Sequence, residues 1–304
     1  MIGTVYKSTG SWYKVKLENG KFIDCRLLGK FREKNIKSTN PVCVGDIVKL
    51  NNNNNNTTPQ IEFIFDRKNY LIRKSVKLSK QFHIIASNID ICFLIITVKN
   101  PETSTMFIDR FLASTFSYNI DTVLLFNKVD DTSFKEDNTL KTFLATYRSA
   151  GYDCLKISGK KGINIDKLKL IMKGKSCVFS GHSGVGKSTL INRLDSKINI
   201  KTLPISKSNL TGQHTTTFSE MHDLEFGSRI IDTPGIKGFG LFDVSNFELK
   251  DFFKEFICVE QCKFNNCLHY NEPGCNVKIL VENGSISRSR YDNYIQLLEE
   301  IQNI

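Results

Sequence analysis

No stretch of this 304-residue sequence is apolar for long enough to cross a membrane. The longest apolar run near the centre, ICFLIITV from Ile91 to Val98, is far short of the roughly 20 residues that a spanning helix needs, so no membrane role is expected. The N-terminus, MIGTVYKSTGSW, lacks the apolar segment of a signal peptide. Nothing therefore argues for export, and a cytoplasmic protein is expected. A disulfide framework is excluded on the same ground, because a reducing compartment keeps thiols free. Of the nine cysteines, Cys25, Cys43, Cys92, Cys154 and Cys177 stand singly in apolar contexts, as core thiols do. Arginine is also scarce, supplying ten of the 42 basic residues. The net charge of +11 favours a polyanionic partner such as nucleic acid. Abundant Lys, Asn and Ile are equally what an AT-biased genome imposes, so charge alone assigns no partner.

What is present divides into segments of different texture. Residues 1–66 carry short alternating runs (GTVYKS, WYKVKL, KFIDCRL, GDIVKL) separated by Gly, Asn and Pro. That spacing predicts a small antiparallel barrel of the oligonucleotide-binding (OB) type. Within it, Asn51 to Asn56 have nothing apolar to bury and predict a loop. Residues 67–85 read as a basic linker. From 86 to 243, the apolar runs ICFLIITV, TVLLFN, CLKIS, SCVFS and RIIDT alternate with helical patterns at Thr105–Tyr118, Phe134–Ala150 and Lys187–Leu194. Near-continuous apolar strands between amphipathic helices predict a parallel sheet covered on both faces, with ligands at the carboxyl ends of its strands. Residues 244–304 form a further, mostly helical domain. Its last segment, Ser287–Ile301, sets Tyr291, Tyr294, Ile295, Leu298 and Ile301 on one face, as a packing stripe.

The chemistry sits at those strand ends. GHSGVGKS, from Gly181 to Ser188, follows the strand SCVFS and opens a helix. Its glycines let backbone N–H groups turn onto phosphates, Lys187 reaches the outer phosphates, and Ser188 offers a hydroxyl to Mg²⁺. RIIDTPG ends a strand at Asp232, which can hold a magnesium-bound water, and the Gly235 N–H can meet a γ-phosphate. Earlier in the chain, TVLLF runs into Asn127, Lys128, Val129 and Asp130. A carboxylate at Asp130 can accept from guanine N1–H and the 2-amino group, which adenine cannot offer. After the next strand, the short loop Ser158–Gly162 (SGKKG) can bring backbone to the guanine O6. The base-reading loops thus precede the phosphate loop. Because a pocket depends on which strand ends are neighbours and not on chain order, the arrangement predicts a circularly permuted GTPase. In that order, the segment after Gly235 runs almost directly into the C-terminal domain and can push on it.

The last domain contains Cys262-x4-Cys267-x-His269-x5-Cys275. Three thiolates and one imidazole make a closed tetrahedral set, the chemistry of one structural Zn²⁺. Cys258 is a fifth candidate, placed beside an apolar stretch that suits a core thiol.

Together, the barrel, NKVD ahead of GHSGVGKS, TGQHTTT (Thr211–Thr217), DTPG and the cysteine–histidine set resemble the bacterial RsgA (YjeQ) family of small-ribosomal-subunit biogenesis GTPases over essentially the whole chain. The resemblance implies a cytoplasmic, monomeric enzyme that hydrolyses GTP to GDP and phosphate under stimulation by the small (30S) subunit. It implies action late in that subunit's maturation, near the decoding region, with the barrel and zinc domains on ribosomal RNA. On matching positions, Asn127, Lys128, Asp130 and Ser158 would serve the guanine. Gly181, His182, Ser183, Gly184, Val185, Gly186, Lys187, Ser188, Thr189 and Gly235 would serve the phosphates, with Gly212–Thr217 as switch I. Ser188, Asp232 and Thr216, or its neighbour Thr215, would hold Mg²⁺. Gly159 stands where the family usually has Ala. In the Ras pattern a Gln after D-x-x-G orients the attacking water; here that place is Ile236, so His214 becomes the expected catalytic residue. Two other readings are an RNA-binding scaffold with a structural nucleotide and a P-loop ATPase or kinase. Lys187, Ser188 and Asp232 argue against the first, and Asp130 against the second.

Overall fold

The computed structural model describes residues 1–28, 40–51, 58–74, 82–131, 138–198, 219–232, 245–257 and 259–302. Alternation in the first segments buries every second side chain; in β2 (Tyr13–Leu17), Tyr13, Val15 and Leu17 point inward. β1 (Ile2–Ser8) pairs with β2 and with β4 (Ile47–Asn51), β2 pairs with β3 (Phe22–Leu27), and β5 (Gln60–Ile64) joins β3 to β4. The ring is thereby closed, which leaves no free edge. Val5, Val15, Cys25, Val48 and Ile61 fill it. One pairing departs from the antiparallel expectation: β3 and β5 run parallel, because β4 returns outside them to close against β1.

The stretch read as a linker contains paired structure. β6 (Tyr70–Lys74) and β7 (Phe82–Ser87) form an antiparallel ribbon. The reason lies in its apolar residues: Leu71, Ile72, Ile84 and Ala86 are buried. A carboxylate fastens barrel to ribbon. Asp46, fully buried, accepts from Arg67 Nε and Nη2 at 2.7 and 2.8 Å, from Ser87 Oγ at 2.6 Å and from the Cys43 N–H at 2.9 Å. Gly45 passes so close to Ser87 that a Cβ there would stand 2.1 Å from the Ser87 carbonyl oxygen, at a φ of +94°. Only glycine fits that crossing.

The central sheet has the order β10-β9-β8-β11-β13-β12. The chain runs outward through β8 (Ile91–Ile96), β9 (Thr122–Phe126) and β10 (Asp153–Lys156), then returns to β11 (Ser176–Ser180) on the other side of β8. The strand order therefore reverses between β8 and β11, where ligands of such sheets bind. Alternation along β8 divides the core. Ile91, Phe93 and Ile95 face α3 (Ile165–Met172) and α4 (Lys187–Leu194), whereas Cys92, Leu94 and Ile96 face α1 (Thr105–Ser117) and α2 (Thr139–Ser149). The sheet is not wholly parallel: β12 (Glu220–Asp223) runs antiparallel to β13 (Arg229–Asp232) at the edge. There it meets the barrel through a bridge between Lys7 and Glu220, a Lys7–Glu220 ion pair at 2.7 Å and a Tyr6–Asp223 hydrogen bond at 2.7 Å.

The C-terminal module comprises a 3-10 turn (Leu249–Phe252), α5 (Lys254–Ile257), α6 (Asn276–Glu282) and α7 (Arg288–Gln302). Tyr291, Tyr294 and Leu298 are buried in its core, with Ile295 and Ile301 packed against them. Among the described residues, no helix is long and apolar enough to cross a membrane.

Because Arg67 would be left beside an uncharged partner, Asp46→Asn should destabilise the barrel by about 3 kcal/mol, the scale for breaking a buried pair. The single tryptophan, Trp12, lies on the barrel and reports its unfolding. A urea midpoint by Trp12 fluorescence equal to that of the parent would show that this carboxylate does not hold the barrel.

Candidate functional site

β9 ends at Phe126, and the next residue, Asn127, turns inward, 7% exposed. Its main-chain N–H donates to Ile96 O at 2.8 Å, its Nδ2 donates to Val185 O at 2.7 Å, and its Oδ1 accepts from Gly159 N at 3.1 Å. The side-chain amide thus ties the loop after β9 to the loops after β10 and β11, while the main-chain N–H continues the β8–β9 pairing. Lys128, at a φ of +65°, extends alongside and donates to Gly184 O at 2.8 Å and to Asn100 O. Asp130 follows in the turn, partly exposed, with its neighbour Val129 anchored on Ile157 O. A carboxylate at that place can accept a pair of donors from a planar base edge.

The loop after β10 is closed locally. Ser158 is fully buried, its N–H donating to Ile163 O and its Oγ accepting from Lys161 N at 2.9 Å. Arg193, in the last turn of α4, donates to Gly159 O at 3.1 Å and Lys160 O at 2.6 Å. Sequence reading missed Arg193, and its only signal was an arginine in a chain that uses few. A Cβ at Gly159 would lie 3.3 Å from Leu190 Cα and N, so the loop is pressed against α4.

Residues 181–186 form the turn between β11 and α4. Gly186 takes a φ of +93°, and a Cβ on it would stand 2.6 Å from Asn127 Nδ2. The turn and the Asn127 hydrogen bond therefore require each other. Lys187, Ser188 and Thr189 make the first turn of α4, whose N–H groups and dipole favour an anion. Lys187 Nζ lies 3.4 Å from Oδ1 of Asp232, which ends β13 and is 8% exposed. A lysine, which could meet a phosphate, and a carboxylate, which could meet a hydrated cation, are thus side by side. Of the remaining loop residues, Ser183 and Gly184 are in the turn, and Val185 is fully buried. His182 meets Thr103 Oγ1 at 2.7 Å, and burial lowers its pKa below the ordinary value. Thr103, in the β8–α1 connection, also went unnoticed in the sequence. His214, Thr215, Thr216, Gly235, Ile236 and Cys258 lie outside the described residues, as do the Asn tract beyond Asn51 and the rest of Thr211–Thr217.

In the C-terminal module, the ligand atoms of Cys262, Cys267, His269 and Cys275 all lie within 4.8 Å of one another. His269 Nδ1 is 3.3 Å from Cys275 Sγ and 3.6 Å from Cys262 Sγ. The backbone brings them together by a left-handed residue at His269, φ +58°, whose N–H donates to Cys267 Sγ at 3.4 Å. Burial pushes the Cys267 thiol up to about 12 and lowers the His269 pKa. A soft divalent cation fits this set. It takes the imidazole neutral, the form that burial favours, and its charge offsets what burial costs the thiolates.

The RsgA GTPase family model matches residues 64–242, and the RsgA N-terminal domain model matches residues 2–58. The small ribosomal subunit biogenesis GTPase RsgA of Christiangramia forsetii is 56% identical, across 98% of this chain and 96% of its own length. That of Flavobacterium johnsoniae is 53% identical, across 98% and 93%. The crystal structure of YjeQ from Thermotoga maritima superposes with a TM-score of 0.81 at 35% identity, covering 100% of this chain and 99% of that one. YloQ, a circularly permuted GTPase, gives 0.76 at 28% identity, covering 99% and 95%. With the family models spanning both the barrel and the strand-end loops, and relatives of this identity aligned almost end to end, the chain belongs to the RsgA family of circularly permuted GTPases of small-ribosomal-subunit biogenesis.

Proposed function

We propose that this GTPase binds GTP at the strand ends described above and hydrolyses it under stimulation by the small ribosomal subunit. The carrying observation is the Asn127 amide, which places a base-type loop, a phosphate-type loop and the SGKKG turn in mutual contact. In this reading Asp130 selects guanine, Asn127 and Lys128 brace the loop beneath it, and Ser158 and Gly159 present backbone to the base. Gly181 to Thr189 wrap the phosphates, with Lys187 on the outer ones and Gly235 on the γ-phosphate. Ser188, Asp232 and Thr216 (or Thr215) hold the magnesium ion that neutralises charge on the phosphates. His214 orients the attacking water, because Ile236 has no group to do so.

The partner in this reading is ribosomal RNA. Support comes from the barrel, where Trp12 (41% exposed) and Phe22 (43% exposed) lie under cations, Arg26 at 4.3 Å from the Trp12 ring and Lys14 at 5.0 Å from the Phe22 ring. Exposed rings among cations are what single-stranded bases stack on. The metal of the C-terminal cluster is Zn²⁺, held by Cys262, Cys267, His269 and Cys275. Its role is structural, since the four donors leave no open position.

GTPase assays with and without purified small and large subunits test the whole reading, with acceleration by the small subunit as the expected outcome. Asp130→Asn puts a donor against the guanine amino group, so GTP affinity should fall about 10- to 100-fold while xanthosine triphosphate gains. Unchanged GTP affinity would remove Asp130 from the base. His214→Ala should keep GTP and subunit binding but lose about 10²- to 10⁴-fold of the stimulated rate; stimulation like the parent's would assign water positioning elsewhere. Metal analysis of protein purified without chelator should find one zinc per chain, lost in Cys267→Ser with local unfolding of the C-terminal module and a folded GTP pocket. Absence of zinc from the parent would overturn that assignment.

A further inference from the structure

Helix α1 lies between the phosphate loop and the C-terminal module, and its two faces are built differently. Residues 107, 108, 111 and 112 pack into the core of the α/β domain. Residues 106, 109, 110 and 113 follow the i, i+3, i+4, i+7 spacing of one helical stripe, and that stripe belongs to the C-terminal module. Met106 and Ala113 enter its apolar cluster, and Arg110 pairs with Glu300 of α7 at 2.7 Å. Asp109, 1% exposed, accepts from Arg290 Nη1 and Asn293 Nδ2, both at 2.6 Å. Arg290, also 1% exposed, donates through Nε and Nη2 to both oxygens of Glu255 at 2.6 and 2.8 Å. A guanidinium buried between two carboxylates cannot slip without leaving a charge unpaired in the interior. That buried pairing joins α1 to the module.

The other end of α1 grips the phosphate loop. Ser104 caps the helix, its side chain accepting from Phe107 N at 3.3 Å. Immediately before it, the Thr103 hydroxyl oxygen accepts from Thr97 N at 3.2 Å and lies 2.7 Å from His182 Nε2. The other ring nitrogen, Nδ1, is 3.3 Å from the Ser183 carbonyl, which can only accept. In the neutral ring, Nδ1 thus carries the proton and Thr103 donates to Nε2. Burial, with Lys128 nearby, lowers the His182 pKa and favours the same form. Phe107 meets the imidazole edge-on at 5.8 Å between centroids. From the cap to Asp109 the helix rises only about 8 Å, so the grip on the loop and the bolt to the module sit on the same short rigid segment.

We propose that α1 couples occupancy of the phosphate loop to the C-terminal module, with Thr103 as the positioning residue that holds the loop through His182. This rests on the nucleotide reading of that loop. When the loop N–H groups turn onto phosphates, the His182 backbone moves with them. The Thr103 contact then passes the change to the helix cap. From there, the Asp109–Arg290–Glu255 triad carries it into α5 and α7.

The test uses the full-length, metal-loaded protein and GDP. Labelled-GDP fluorescence first establishes nucleotide binding, so that loss of binding is read separately from loss of coupling. Hydrogen exchange of the α7 amides, Arg288–Gln302, is then measured with and without saturating GDP. In the parent, GDP should slow that exchange at least about fivefold, the lower end of ordinary coupling between sites. Thr103→Val keeps the shape but cannot donate, so it should bind GDP and lose the slowing. Thr103→Ser, which restores the hydroxyl, should regain it. Exchange in the parent that ignores bound GDP would overturn the proposal. So would a Thr103→Val protein that responds like the parent, or a failure of Thr103→Ser to rescue.

Discussion

The hydrogen bonds of one buried amide set the geometry around which the rest is arranged. Asn127 can hold Val185 O and Gly159 N together only if β9 ends between β8 and β10 and if β11 lies beside β8. In the interior, a primary amide left unpaired costs more than a formed hydrogen bond returns. Each of these neighbours is therefore needed by the others. Gly186 shows the constraint from the opposite side, because any side chain there would strike the Asn127 nitrogen. A pocket held this way is indifferent to where the chain begins. That indifference is the physical reason a permuted order is compatible with an intact GTPase.

The barrel and the C-terminal module are attached to this centre by different chemistry on different elements. On the barrel side, Asp46 gathers Arg67, Ser87 and the Cys43 N–H, and β1 borders β12 at the sheet edge. On the module side, Arg290 of α7 is clasped by Asp109 of α1 and Glu255 of α5. Both attachments bury charge. Their value is less in net stability, since desolvation offsets much of the attraction, than in the cost of about 3–5 kcal/mol for breaking one side. The β12 edge and helix α1 each run from the strand-end loops toward one appended domain.

Much of this was legible in the sequence because local pattern and local burial agree. The runs at 91–96, 122–126 and 176–180 are strands buried on both faces, as uninterrupted apolar residues require. Lys187–Leu194 forms the helix that the spacing predicts. The cysteine–histidine spacing converges on a set whose ligand atoms lie within 4.8 Å of one another. The ribbon at 70–74 and 82–87 was hidden by the lysines around and between its strands, Lys68, Lys74, Lys77 and Lys80. Its apolar residues Leu71, Ile72, Ile84 and Ala86 are buried where the barrel and the α/β domain meet over them. β12, EMHD, carries no strand signature; it is a strand because β13 and the barrel offer it partners.

Sequence alone determined which chemistry the chain could perform, because motifs such as NKVD, GHSGVGKS and the Cys–His set place functional groups at spacings that backbone geometry converts directly into a site. Tertiary structure alone decided how those groups are held. Arg193, Thr103, Asp109 and Arg290 belong to no motif, and their partners lie far along the chain, at Gly159, His182 and one another. Arg290 in particular reads as one more solvated cation on a polar helix, yet it is 1% exposed. A long-range ion pair leaves no periodic trace in sequence. It exists only once packing has removed the water that would otherwise solvate both charges.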